Sequence, residues 1–489
     1  MKFLDIQQRD QIGFSFVMDK LGITTSYGLE ERKSIRPFKA SEINELTHEL
    51  SSLENIIKSM NSHVEEYKGI GRIFCKLKDI RNSVKRCSEV QTLDEVELYE
   101  IKYFSMLVNQ LKYFINILHL NIEEVQLNSL EEVISILDPK GSKIPTFYVY
   151  DEYSNTLKNI REKKKQKEKE IFSTKVQEKI SELMQERLDL VIEEEEEELK
   201  IRKELTLQIS KEVELINQNI KAIGRLDFLI AKANLAIAYN GTRPKICNEM
   251  EINLVHAFNP QINEILEKGK KRFTPVSIDL FGGTTIITGA NMGGKSVALK
   301  TIVLNLLLGQ MGFFVFAEKA QFPIMSFIHF ISDDMQSISK GLSTFGAEII
   351  KLKEVVECAI RGNGFIALDE FARGTNPKEG YYLVKALSKY LNKFESVSLI
   401  STHYDGVAQD NMEHYQVMGL KNVDFNALKY KIDLNETHSV EILQEHMQYR
   451  LEKVSKENKV PKDALNIAVL LGLDKDIVDI AKRFYNEED

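Results

Sequence analysis

The chain has no tryptophan, only 9 prolines and 4 cysteines, and no long unbroken apolar run in its 489 residues. The missing tryptophan excludes no function. Cys75, Cys87, Cys247 and Cys358 stand far apart, with no C-x-x-C pair. That spacing argues against a disulfide-stapled scaffold and a cysteine metal site, and it fits a reducing cytoplasm. The longest apolar stretch, Thr301 to Phe316, is interrupted by Asn305, Gln310 and two glycines. It reads as a buried helix and strand, too broken to cross a bilayer. The first ten residues carry charges throughout and lack the apolar centre of a signal peptide. Basic residues are also in the minority: 65 Lys and Arg against 73 Asp and Glu give a net charge of −8. Binding to nucleic acid then needs a local basic patch, because overall charge does not favour it.

Proline scarcity has a structural consequence. Between residues 38 and 243 only Pro139 and Pro145 occur, and from 152 to 239 there is no proline and one glycine, Gly224. Dense Lys, Glu and Leu over that stretch predict a long helix or helical hairpin, at ~1.5 Å per residue tens of ångströms long. Within it lie a basic run, Arg161 to Lys169, and six consecutive carboxylates, Glu193 to Glu198. Such runs are usually solvated helix faces. In a hairpin the two would lie alongside each other and pair. An acidic tract near the end of an arm would repel phosphates and favour a basic protein surface. Residues 1–150 read as mostly helical, with Leu53, Ile56, Ile57 and Met60, and Ile101, Phe104, Leu107 and Leu111, at helical spacing. These stripes are core. A chain of this length divides into two to four domains.

Chemistry enters at residues 289–296. Gly289, Ala290, Asn291, Met292, Gly293, Gly294, Lys295 and Ser296 form a complete G-x-x-x-x-G-K-S loop. It lies between an apolar strand, Thr284–Thr288, and a helix, Val297 to Leu308, the context such a loop needs before it counts as a phosphate cradle. The glycines let backbone N–H groups converge on phosphate oxygens. Lys295 would reach the β- and γ-phosphates, Ser296 would ligate Mg²⁺, and the helix N-terminus would face the anion. Further on, Gly364 to Glu370 is an apolar strand ending in two carboxylates. Asp369 suits the Mg²⁺ shell, and Glu370 suits the base that orients and deprotonates water. A third apolar strand, Ser396 to Thr402, ends at His403, a candidate γ-phosphate sensor beside the other two strands. From about 245 onward strands and helices alternate, as in an α/β ATPase with crossover helices between parallel strands.

These residues, in this order, resemble the ATPase domain of the MutS family, the ABC-type ATPases of DNA mismatch repair. The Asn291-Met-Gly-Gly294 core of the loop is close to that family's own version. Ser332-Asp-Asp334, Lys340 to Phe345 and Glu348 resemble its signature segment, which implies that Ser343 and Thr344 contact the other subunit's nucleotide. Arg373 to Gly380 resembles its subunit-contacting loop and Ser401 to Tyr404 its switch-histidine segment. Phe273 falls where the family has an adenine-stacking aromatic. Leu226 to Ala236 resembles the helix returning from the lever arm, Asp138 to Gly141 and Asp151 to Ser154 its outgoing start, and Thr25 to Gly28 the start of the core domain. Ala464 to Ala468 and Gly472 to Ala481 resemble C-terminal helices that support dimerisation.

The resemblance implies a multidomain α plus α/β protein. It expects a helical core at 1–150, a helical lever arm at 151–240, an ABC-type P-loop ATPase domain at 241–440 and C-terminal helices at 441–489. The implied cofactors are ATP and Mg²⁺, and the implied assembly is a cytoplasmic homodimer, or a heterodimer with another MutS-like subunit, with no membrane partner. There are departures. The mismatch-reading, clamp and nuclease domains are expected to be missing. Ala290 replaces the usual Pro, Val297 the usual Thr, and Lys462-Asp-Ala464 the usual Ser-Tyr-Gly. Two clients remain open: branched or repair-related DNA, and a protein such as a cobalamin-dependent aminomutase that an ATP-driven chaperone reactivates. A scaffold with structural ATP fits less well with the Asp369-Glu370 pair.

Overall fold

The computed structural model describes residues 3–289, 294–332, 344–409, 411–420, 428, 446–454 and 463–487. The chain forms two compact units. One comprises Met1–Gly22, Arg36–Glu54 and Asn234–Asp489, the other Ile23–Ile35 and Asn55–Ala233.

The first unit contains two sheets. Strands β1 (Lys245–Cys247), β2 (Glu251–Ala257), β3 (Val276–Phe281) and β5 (Lys319–Pro323) form a mixed sheet in the order β1-β5-β2-β3. Strands β4 (Gly283–Thr288), β6 (Ile328–Ser332), β7 (Phe365–Asp369), β8 (Val397–Ser401), β9 (Glu413–Gly419) and β10 (Gln448–Lys453) form the other, ordered β10-β9-β4-β8-β7-β6. All its neighbours pair in parallel except β9 with β10. Every residue of β4, β6, β7 and β8 is buried. That explains their continuous apolar and β-branched sequences, since a parallel sheet is covered on both faces. Val384, Leu387 and Leu391 of the helix Pro377–Leu391 and Val355 and Ala359 of the helix Thr344–Arg361 share a core with Ile286, Ile366 and Ile400. The helix Lys295–Gln310 is buried almost all round. N-terminal segments of this unit are laced to its strands and helices: Gln8 Nε2 donates to Phe330 O (2.6 Å) and Gln310 Nε2 to Phe38 O (3.0 Å).

The expected helix and strand within Thr301–Phe316 are realised only in part. The helix runs to Gln310, Gly312 then turns the chain at φ +75°, and Val315 makes a single bridge to Thr242 in place of a strand.

The second unit is helical throughout its described secondary structure. Ile101, Phe104, Leu107 and Leu111 are at most 2% exposed, so that stripe is core. The helices Ser26–Ser34 and Val213–Ala238 approach closely at two glycines. A Cβ on Gly224 would stand 2.8 Å from Tyr27 O, and one on Gly28 2.5 Å from Asp227 Oδ2. Asp227 accepts from the Thr25 N–H and hydroxyl, both at 2.7 Å, and from Thr24 N (3.1 Å). Buried Lys102 donates to Thr146 O (3.0 Å) and lies 3.5 Å from Asp138.

The helices Asn155–Ser173 and Gln177–Ile209 form a hairpin. The charge runs pair across it. Arg161 meets Glu194 (2.9 Å), Glu198 (2.7 Å) and Asp151 (2.5 Å), Lys164 meets Glu194, and Lys167 meets Glu186 (2.7 Å). One expectation is corrected here. The six carboxylates begin 16 residues into the second helix, roughly 25 Å from the turn, so they lie toward the base of the arm and not at its end. Their cationic partners sit at the start of the first helix because an antiparallel hairpin puts its two open ends together.

Candidate nucleotide site

Three strand ends converge. Strand β8 lies between β4 and β7, with Gly283 and Phe365 both in register with Val397. The loop after β4, the carboxylates at the end of β7 and His403 after β8 therefore meet at one edge of the sheet. Gly289 (φ +134°) and Gly294 (φ +84°) bound the phosphate loop with backbone angles that L-residues rarely adopt. Gly294 caps the helix Lys295–Gln310, whose positive end faces the loop. Ala290, Asn291, Met292 and Gly293 lie outside the described residues, as does Ser343; Thr344 opens the helix Thr344–Arg361.

Lys295 is 3% exposed. Its Nζ donates to Gly289 O (2.7 Å) and lies 3.4 Å from Glu370 Oε1. Burial pushes its pKa down, against the pull of Glu370. Asp369, 6% exposed, accepts from Ser401 Oγ (2.6 Å) and from the Ser296 hydroxyl. Burial raises its carboxyl pKa despite those two donors. A buried carboxylate beside a hydroxyl, with too little compensation for its charge, suits a divalent cation that also takes phosphate oxygens. Ser296 and Asp369 would hold Mg²⁺ there.

Glu370 begins a turn outside the strand, in a left-handed conformation (φ +50°), and Ala372 shares it (φ +63°). The Glu370 N–H donates to Ser401 O and Ser401 Oγ, both at 3.2 Å. Its carboxylate is held between Lys295 and Arg373, whose guanidinium donates at 2.8 Å. Its neighbour Phe371 packs into the sheet core. His403 is exposed, its ring 4.1 Å from that of Tyr404. Partial desolvation lowers its pKa below 6.5, and Glu370, Lys295, Arg373 and Asp405 are the charges acting on it. The structure thus brings Gly289, Lys295, Ser296, Asp369, Glu370 and His403 to one place.

Phe273 lies before β3 with its ring edge-on to Phe258, 5.3 Å between centroids. Two residues acquire a role at the site only from the structure. Ser401 bridges Asp369 and Glu370, and Tyr449 of β10 borders the loop, its Cδ1 3.1 Å from where a Cβ on Gly294 would stand. Only the strand order reveals either.

Residues 285–483 match the family described as MutS domain V, an ATPase domain. Similar proteins include the Endonuclease MutS2 of Carboxydothermus hydrogenoformans, 31% identical over 297 residues, which are 59% of this chain and 34% of that protein. That of Caldanaerobacter subterraneus subsp. tengcongensis is 28% identical over 295 residues, with the same coverage, and that of Staphylococcus epidermidis is 34% identical over 206 residues, 42% of this chain and 26% of the relative. Residues 285–483 therefore carry a MutS-family domain. The chain matches about a third or less of the length of these curated relatives. Lys295, Ser296, Asp369, Glu370 and His403 all fall within the MutS domain V match. Among the described residues no helix is long and apolar enough to cross a membrane.

Proposed function

We propose that this chain binds and hydrolyses ATP at composite sites of a dimer, formed with a second copy or with another MutS-like subunit, and that the cycle moves helical arms gripping DNA. The observation that carries the reading is the meeting of Lys295, Ser296, Asp369 and Glu370 at the ends of β4 and β7. One protomer contributes residues 289–296, Asp369, Glu370 and His403; the other contributes Ser343 and Thr344. Bound Mg²⁺ would neutralise charge on the β- and γ-phosphates. Lys295 exchanges its contact with Gly289 O for phosphate oxygens. Glu370 accepts a proton from the attacking water at its carboxylate, and neutral His403 bonds to the γ-phosphate side. Phe273 and Tyr449 are the aromatics offered to the base, Tyr449 supported by its closeness to Gly294.

ATP closes the interface because both protomers touch it, and hydrolysis removes the group that bridges them. The nucleotide moves the arms only by its differential affinity for the closed and open states. DNA as client is supported by the match to MutS domain V and by the hairpin's exposed Lys163, Lys165 and Lys169. Of the acidic tract, Glu194 and Glu198 are tied up near the base, while Glu193, Glu195 and Glu196 are exposed.

Phosphate release tests the chemistry. Wild-type protein should hydrolyse MgATP. Lys295→Ala should bind ATP at least about tenfold more weakly, for want of a charge-assisted hydrogen bond to phosphate. Glu370→Gln should bind ATP normally and turn over about 100-fold more slowly, as loss of a general base does. Normal turnover in Glu370→Gln would remove Glu370 from its role.

A further inference from the structure

We propose that Glu348 is a positioning residue for hydrolysis, fixing the left-handed turn that carries Glu370 to the helix whose first residues reach toward the other protomer's nucleotide. The inference rests on the composite-site reading above and gives it a physical route between sites.

Glu348 is 4% exposed and lies in the helix Thr344–Arg361. Its Oε2 accepts from the buried Ala372 N–H at 3.1 Å. That bond joins the helix to a turn with two non-glycine residues at positive φ, Glu370 and Ala372. A turn of this kind persists only where its surroundings over-determine it. Three tethers do so. Ser401 of β8 receives the Glu370 N–H, Phe371 belongs to the buried cluster that also holds Val355 and Ala359 of the helix, and Glu348 takes the Ala372 N–H. The first comes from the strand and stays with it. The other two come wholly or partly from the helix, so they move with it.

One helical turn separates Thr344 from Glu348. A shift of the helix start is therefore delivered almost undiminished to the Ala372 N–H, and from there, across two residues, to the Glu370 carboxylate. That carboxylate has little room, lying 3.4 Å from Lys295 Nζ and 2.8 Å from Arg373. Nucleotide held against the start of this helix in one site thus sets the aim of the base in the other.

Two conservative variants separate reach from charge. Glu348→Gln keeps an acceptor oxygen at the same distance from the backbone but loses the charge. Glu348→Asp keeps the charge but falls one methylene short. At saturating MgATP, Glu348→Asp should turn over roughly 10- to 100-fold more slowly, the order expected of a base misplaced by about 1 Å. Its KM and melting temperature should stay close to wild type. Glu348→Gln should stay within about threefold of the wild-type rate, because the carboxamide still accepts from Ala372. Wild-type turnover in Glu348→Asp would overturn the proposal. So would a loss in Glu348→Asp matched by equal loss of ATP affinity, or a Gln variant as slow as Asp. Glu370→Gln measured alongside keeps the two claims apart. Normal turnover there condemns the base assignment and this inference with it, whereas a dead Glu370→Gln beside an unaffected Glu348→Asp condemns this inference alone.

Discussion

Burial governs the charged groups around the loop. Asp369 has its carboxyl pKa raised and Lys295 its ammonium pKa lowered, each because desolvation disfavours the charged form. His403, also lowered, is neutral at pH 7 and can accept as well as donate. Ser401 sits at the centre of this balance, donating to Asp369 and accepting from the Glu370 N–H. Ser401→Ala removes both bonds at a buried position. The expected cost is about 1–3 kcal/mol of stability in chemical denaturation and at least a tenfold loss of phosphate release; undiminished turnover would show that the serine merely fills space. Gly289 to Ser296 and Asp369-Glu370 are legible because each group is contiguous in sequence. Ser401 and Tyr449 are not, since their meaning depends on β8 lying between β4 and β7 and on β10 folding back along β9.

At the scale of elements, periodicity and composition carry far. The buried strands β4, β7 and β8 announce themselves as short apolar runs, and the proline-free stretch yields the hairpin. Gly224 stands out as the one glycine between 152 and 239, but its reason, the carbonyl of Tyr27 pressed against it, lies nearly two hundred residues away. The placement of Glu193 to Glu198 escapes a linear reading because a charge run does not disclose where its hairpin turns. Along the first helix of the arm Lys163, Lys165 and Lys169 are exposed. If the arm grips DNA, changing all three to Glu should weaken duplex binding. The slope of log K against log salt should become shallower by about 0.9 for each phosphate that the variant no longer neutralises. Identical titrations for variant and wild type would place DNA elsewhere or point to a protein client.

At the scale of the molecule, the compact units do not follow the chain in simple blocks: Met1–Gly22 and Arg36–Glu54 join the sheets, while Ile23–Ile35 joins the helical unit. Linear reading has no access to such exchanges, because they depend on hydrogen bonds such as Gln8 to Phe330 across more than three hundred residues. The central claim is that two protomers share each triphosphate, and particle mass tests it most directly. Glu370→Gln protein, able to bind but not to hydrolyse, should run as single 56.2 kDa chains without nucleotide. With saturating MgATP it should run as a pair, either with itself or with a second MutS-like subunit. Mass fixed at one chain while ATP is demonstrably bound, alone and in such mixtures, would contradict the account.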